Sequence, residues 1–242
     1  AIKLLNSFLS DRSRDYLQGL SSPLTAWDSC SRLSPYLTYG NISLRTVYQR
    51  VSQRKRELQR QRGQRDPWSQ SLANYVERLA WHCHFMQKLE DEPAIEFDNM
   101  NPAFNGLRED EFNPAYFKAW AAGRTGYPLI DACMRALQQT GWINFRMRAM
   151  LISFASYHLW LHWRQPALHL ARLFTDYEPG IHYSQIQMQA GTTGISALRI
   201  YSPIKQVLDQ DPEGLFIRQW VPELTKVPND FIAEPHRMPS PA

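Results

Sequence analysis

Cysteine is scarce: the 242 residues contain only three, Cys30, Cys83 and Cys133, widely separated and without a CxxC pair. A disulfide framework and a four-thiolate metal or iron–sulfur site are therefore excluded, and reduced, intracellular thiols are expected. Long apolar runs are lacking as well. The longest, Ala149 to Leu161, is about 13 residues and includes His158, short of the ~20 a bilayer-spanning helix needs, so a soluble, cytoplasmic chain is expected. No GxGxxG occurs, which removes a Rossmann-type nucleotide site. HExxH is missing too: His158 and His162 stand at i, i+4 without the glutamate, and Trp81-His82-Cys83-His84 are neighbours that a helix points about 100° apart, so no metal site is expected. Repeats are absent, and the one weak strand candidate is Leu198 to Tyr201. The first residue is Ala1 and no signal-peptide pattern follows it, as expected of a processed chain or a domain cut from a longer one.

What is present is a folded composition, 43% hydrophobic and 12% aromatic, with eight Trp and eleven each of Tyr and Phe. The organising stretch is Thr125 to Arg164, which reads as two consecutive helices apolar nearly all round. In the first, Pro128 suits the opening turn, Ile130, Cys133, Met134 and Leu137 recur at helical spacing, and Gly141 is the stop. In the second, Arg148 faces inward among apolar residues and needs a charged partner, either a protein segment or a bound anionic cofactor. Snorkelling arginines at the end of a core helix are the plainer alternative.

Three other segments carry polar chemistry. Ser29 to Pro35 gathers three hydroxyls, a thiol and Arg32 just before an apolar run, which makes either a phosphate cradle at a helix start or a plain serine cap. Arg45 to Arg65 holds eight basic residues against the single Glu57, a net charge of +7, and spreads them around a helix as a basic arm suited to phosphates or to solvent. Asp176 to Ser196 has three glycines and two carboxylates with no sustained period, and reads as a long functional loop in which Asp176 and Glu178 can face one pocket. Around these, an amphipathic helix over residues 1 to 20, a helix from Leu72 to Leu89, a surface connector from Glu90 to Asn113 and a short helix opened by Asp211-Pro212-Glu213 complete the expected elements.

In their order these segments resemble the FAD-binding helical domain of the photolyase and cryptochrome family. The family's Ser-Arg-Leu-Ser-Pro turn matches Ser31 to Pro35, and its Lys-Thr-Gly-Tyr-Pro-x-x-Asp-Ala segment matches Arg124 to Ala132. Its Thr-Gly-Trp with Arg-x-Arg matches Thr140 to Arg148, and its Phe-Ile-Arg-Gln-Trp-x-Pro-Glu-Leu matches Phe216 to Leu224. The resemblance implies an all-α, multi-helical domain over residues 1–242, without the family's N-terminal α/β antenna domain. It implies noncovalent FAD with its diphosphate at Ser31, Arg32, Leu33 and Ser34, and Tyr16 matching the tyrosine that stacks near the phosphates. Arg148 would pair beside the flavin with Asp176, first acid of Asp176-Tyr177-Glu178, and His182 would face flavin N5, where an imidazole can donate to or protonate a reduced flavin.

Departures from the family pattern bear on activity. Trp81 keeps the position of a lesion-packing tryptophan, but Arg78 stands where photolyases have a glutamate. Phe145 replaces an asparagine that contacts flavin and lesion, and Met188 replaces the second lesion-packing aromatic. Arg146 stays available for phosphates. Of the family's tryptophan relay only the middle member remains, as Trp163; the inner and outer positions fall on Ile186 and Asp110, leaving Trp160, Trp142 or Tyr183 as other routes. Three readings stand open: a photolyase-like lyase acting on DNA, single strands preferentially; a cryptochrome-like light sensor; and a cofactor-free helical module that binds nucleic acid.

Overall fold

Helix starts and stops written into the sequence lay out the chain. The computed structural model describes residues 1–195 and 198–239, and every regular element among them is helical. The elements are α1 (Ile2–Ser10), α2 (Tyr16–Gly19), α3 (Ala26–Ser29), α4 (Ser34–Thr38), α5 (Leu44–Arg62), α6 (Pro67–Asp91) and α7 (Pro114–Ala121), followed by α8 (Pro128–Thr140), α9 (Phe145–Ser153), α10 (Arg164–Leu173), α11 (Pro179–Ala190), α12 (Pro203–Gln210) and α13 (Leu215–Trp220). Proline occupies the first turn of α6, α7, α8, α11 and α12, where its missing N–H costs nothing. Ser43 and Asp66 cap α5 and α6 by accepting from Thr46 N at 3.1 Å and Ser69 N at 2.9 Å. Gly141 and Gly191 end α8 and α11 in the left-handed conformation, φ 70° and 78°.

Two apolar clusters result. One lies between α1, α5 and the first half of α6, built on Leu5, Phe8, Val47, Val51, Trp68 and Leu72. The other joins α8, α9, α10, α11 and α13 around Leu129, Met150, Phe154, Trp163 and Ile217. Where α11 crosses α6, Gly180 lets the backbones touch: a Cβ there would lie 2.6 Å from Phe85 O and 2.9 Å from Met86 Cα. Gly180→Ala is therefore expected to wedge the helices apart and cost about 1–3 kcal/mol, read as a lower midpoint in urea.

The structure corrects the sequence reading in several places. The segment expected to be a loop, Asp176 to Ser196, is mostly α11; only its first residues and the stretch after Gly191 are irregular, and Ser196 lies outside the described residues. Its periodicity is hidden because the buried face carries His182, Ser184 and Gln187 beside Tyr183 and Ile186. The second central helix does not run to Arg164. It ends at Ser153, passes through a π-helical turn at Phe154–His158 and then reverses at Trp160, φ 55°. That turn exposes Trp160 to 40% and leaves Trp163 fully buried.

Smaller differences follow the same logic. The amphipathic first helix stops at Ser10, and residues 12–15 form a 3₁₀ turn. Leu198 to Tyr201 is not a strand; Ser153 Oγ accepts from Tyr201 N at 3.0 Å and donates to Arg199 O, pinning it as irregular chain. Asp211 does not open α13 but caps it, accepting from Phe216 N and Ile217 N at 3.1 and 2.9 Å. The stretch from Glu90 to Asn113, expected as a surface connector, begins with the end of α6, contains 3₁₀ turns at Pro93–Glu96 and Pro102–Phe104, and buries Ile95, Asn99 and Arg108. Gln187 donates to Ile95 O and Asp98 O and accepts from Met100 N, while Asn99 Oδ1 accepts from Trp163 Nε1 at 2.7 Å. No described helix is long and apolar enough to cross a membrane.

Candidate cofactor site

Arg148 sits in the first turn of α9, which points its side chain back over the chain preceding the helix. Its Nε donates to Ile143 O at 2.8 Å, and Nη1 and Nη2 donate to Asp176 Oδ1 and Oδ2 at 3.0 and 2.8 Å. The guanidinium also lies 4.1 Å from the centroid of Phe174. Asp176 is almost enclosed, with its side chain 3% exposed. The partner that the sequence demanded is thus a protein carboxylate, held by a two-pronged charge-assisted contact with every guanidinium nitrogen engaged.

Beside this pair, one turn into α11, stands His182. Its Nε2 lies 2.9 Å from Ala167 O, and a carbonyl only accepts, so Nε2 carries the hydrogen. Tyr177, Tyr183 and Phe174 pack around the ring at centroid distances of 5.2, 5.2 and 6.1 Å. Burial lowers its pKa from 6.5 to about 4, and the nearby Arg148 charge pushes the same way. The ring is neutral at pH 7, with Nδ1 a lone-pair acceptor that makes no hydrogen bond to any described residue. A neutral ring in this tautomer offers a bound group a hydrogen-bond acceptor at Nδ1.

The Ser31 to Ser34 turn lies at the start of α4, whose first turn has no side-chain cap. Arg32 is left-handed, φ 56°, and its guanidinium stacks 4.4 Å over Trp27, which in turn meets Trp142 edge-on at 5.7 Å. Ser31 Oγ accepts from Tyr75 Oη at 2.9 Å, Leu33 is fully buried, and Ser34 is half-buried. From behind, Arg12 donates to the carbonyls of Leu4 and Cys30 and bonds Ser7 Oγ at 2.8 Å. Tyr16 is buried edge-on against Phe8 and Tyr75 at 6.0 and 5.5 Å, and burial pushes its phenol up to about 12.

On these elements six buried polar atoms, out of ten in all, have no partner among the described residues. They are Nε of Arg32 and Arg146, Oδ1 of Asn144, Nδ1 of His82, Oγ of Ser184 and Oε1 of Gln185. Leaving such groups unmet costs about 1–3 kcal/mol each, and together they come from the Arg32 turn, the start of α9, α6 and α11. Asn144 is fixed in place, its Nδ2 donating to Leu20 O and Ser21 O at 3.1 and 2.7 Å.

The residues that the resemblance implies for a lesion pocket lie on α6, α9 and α11, with α11 packed on both of the others. Trp81 is 49% exposed and leans on Phe85 at 5.6 Å. The exposed Arg78 stacks over Phe145 at 5.8 Å, so these two departures from the family pattern touch each other. Arg146 and Met188 are half-buried. Glu178 precedes α11 without capping it, and its charge raises the His82 pKa against the larger lowering by burial. The fully buried Trp163 lies 6.3 Å from Tyr183, whose hydroxyl is 3.5 Å from that of Tyr177. Rings at 182, 183 and 163 thus form a continuous series, whereas the nonaromatic Ile186 is buried and Asp110 is exposed. Sequence reasoning missed Arg12, Tyr75, Asn99, Asn144 and Gln187; of these only Asn144, at a helix start beside two arginines, carried a visible signal. No three His, Cys, Asp or Glu side chains are grouped for a metal among the described residues.

Residues 75–242 match the model of the FAD binding domain of DNA photolyase. The deoxyribodipyrimidine photo-lyase of Streptomyces griseus is 33% identical over 98% of this chain and 48% of its own length, and Cryptochrome-2 of Arabidopsis thaliana is 33% identical over 99% of this chain and 39% of its own. The chain spans about half the length, or less, of the curated relatives it matches. Among solved structures, a class III photolyase from Agrobacterium tumefaciens superimposes with a TM-score of 0.86 at 28% identity, covering 99% of this chain and 48% of that one. An archaeal photolyase from Sulfolobus tokodaii, solved with two FAD molecules, gives 0.80 at 32% identity, covering 100% and 50%. The family match carries FAD as its cofactor, and the cofactor-free reading falls away. By sequence and by fold the chain belongs to the photolyase and cryptochrome family, as an FAD-binding domain of that family.

Proposed function

We propose that residues 1–242 form one FAD-binding unit that donates an electron under blue light to pyrimidine dimers in DNA, through a remodelled pocket. The observation that carries this is the enclosed, two-pronged Arg148–Asp176 pair with His182 beside it, on the elements that follow the Arg32 turn in the family's order. FAD, when bound, supplies blue-light absorption and one-electron chemistry. Arg32, with the Ser31 and Ser34 hydroxyls and the uncapped start of α4, holds the diphosphate, and Arg12 and Tyr75 keep that turn in shape. Tyr16, buried beneath them, is a wall residue for the same region. The Arg148–Asp176 pair, with Tyr177 and Glu178 on the approach to α11, fixes the edge of the ring system. His182 would offer its Nδ1 as a hydrogen-bond acceptor to the ring edge of FAD.

Electrons reach the site along the rings of Tyr183 and Trp163. Trp163→Phe is expected to slow light-driven reduction of the bound flavin by an external thiol severalfold, while Trp160→Phe leaves it unchanged. Equal rates in the Trp163 variant and the parent would remove Trp163 from the route.

DNA is held at the surface that carries Trp81 and Arg146. Arg146 and Trp81 bind phosphate and stack a base, and single strands are preferred because their bases reach Trp81 without flipping. Illumination of the reduced protein with a dimer-containing oligonucleotide, single- and double-stranded, tests the lyase reading: dimer loss in single strands supports it. Absence of loss in both forms favours the second reading, a blue-light sensor without repair, which the Arg78 stack over Phe145 already supports.

A further inference from the structure

The basic helix that the sequence presents as a diffuse arm is sorted by the structure into two sets. α5 buries Val47, Val51 and Leu58. Three of its arginines are committed to the protein. Arg50 donates to Asn6 Oδ1 at 2.8 Å; Arg54 donates to Leu9 O and stacks 4.7 Å over Trp68; Arg62 stacks 5.6 Å over the same ring and lies 3.9 Å from Asp66. The lone acid, Glu57, is engaged by Gln53 at 3.0 Å and Arg54 at 3.6 Å. Arg45, Arg56 and Arg60 are exposed, with no hydrogen bond or ion pair to any described residue.

At 100° per residue these three fall within about 60° of one another, on the side of α5 away from its buried valines, and at 1.5 Å per residue they extend over about 22 Å. Tyr48, 50% exposed, and Ser52 lie on the same face between Arg45 and Arg56. We propose that this face is a track for the backbone of single-stranded nucleic acid, with Tyr48 stacking an unpaired base between cationic contacts. The track is additional to the exposed Trp81. An anionic membrane is the poorer partner: an interfacial helix inserts its apolar face, and that of α5 is buried inside the protein.

The proposal takes its class of partner from the DNA-associated reading above, and the experiment separates the two. Anisotropy of an undamaged oligothymidylate is measured over a range of salt with the flavin-loaded protein and with the triple variant R45Q/R56Q/R60Q. Loss of three phosphate contacts flattens the log–log salt dependence by about 2. Tyr48→Ala weakens binding with the slope unchanged, and Arg50→Gln, which removes an arginine already committed to Asn6, leaves both unchanged. Flavin content stays equal in all four proteins. Binding by the parent with an undiminished slope in the triple variant overturns the track and leaves the DNA reading intact. No binding by the parent at low salt overturns both, and a triple-variant defect confined to anionic vesicles replaces the strand by a membrane surface.

Discussion

Arg148→Ala is expected to cost about 3–5 kcal/mol of stability and to release the flavin, because it leaves Asp176 buried and uncompensated. All three nitrogens of the guanidinium are engaged, so Lys cannot substitute: one ammonium replaces neither the fork on Asp176 nor the bond to Ile143 O. Stability and binding can be separated. Removing both charges together, as Arg148→Met with Asp176→Leu, takes away the unpaired carboxylate and should recover much of the lost stability, while flavin stays absent because the edge it rests on is gone. Urea midpoints and extracted flavin, measured on the single and double variants, check the two halves. Full flavin occupancy in Arg148→Ala would show that the pair is merely structural.

The second large effect is acid sensitivity through His182. Its folded pKa, about 4, lies below the ordinary 6.5, so between these values the unfolded chain binds a proton that the folded protein refuses. Stability from this residue is complete above about pH 6.5, declines as the pH falls and is fully lost below about pH 4. The loss amounts to about 3 kcal/mol at 1.36 kcal/mol per pH unit. His182→Gln keeps an N–H for Ala167 O and cannot titrate in this range. Its stability at pH 7 should stay within about 1 kcal/mol of the parent, and the excess acid loss of the parent over the variant isolates the histidine. Parallel curves for the two proteins between pH 7 and pH 4 would mean that the ring is already solvated or protonated in the fold.

How much of this was legible depends on where the signal sits. α8 could be read end to end, because Pro128 and Gly141 bound a clean apolar stripe. The Arg148 problem was legible as a buried charge without a partner, and Asp176 was a candidate because it opens an acidic, aperiodic segment. The same criterion failed for α11, where His182, Ser184 and Gln187 are buried for polar reasons and cancel the period that apolar residues would show. The π turn after Ser153 was equally invisible: nothing in Phe154 to His158 announces that Leu159 N will bond Phe154 O rather than the carbonyl one residue nearer. On α5 the residue types were plain, but only tertiary contacts with Asn6, Leu9 and Trp68 decide which arginines are free. Local chemistry was therefore readable, and its sorting by long-range contacts was not.

The central claim is that Arg148, Asp176 and the Arg32 turn hold FAD. The most direct measurement is extraction and chromatographic identification of the flavin in purified protein, for the parent and for Arg148→Ala side by side. The predicted result is about one noncovalent FAD per chain in the parent and almost none in the variant. Parent protein without flavin, with a different flavin, or with FAD retained equally by the variant would contradict it.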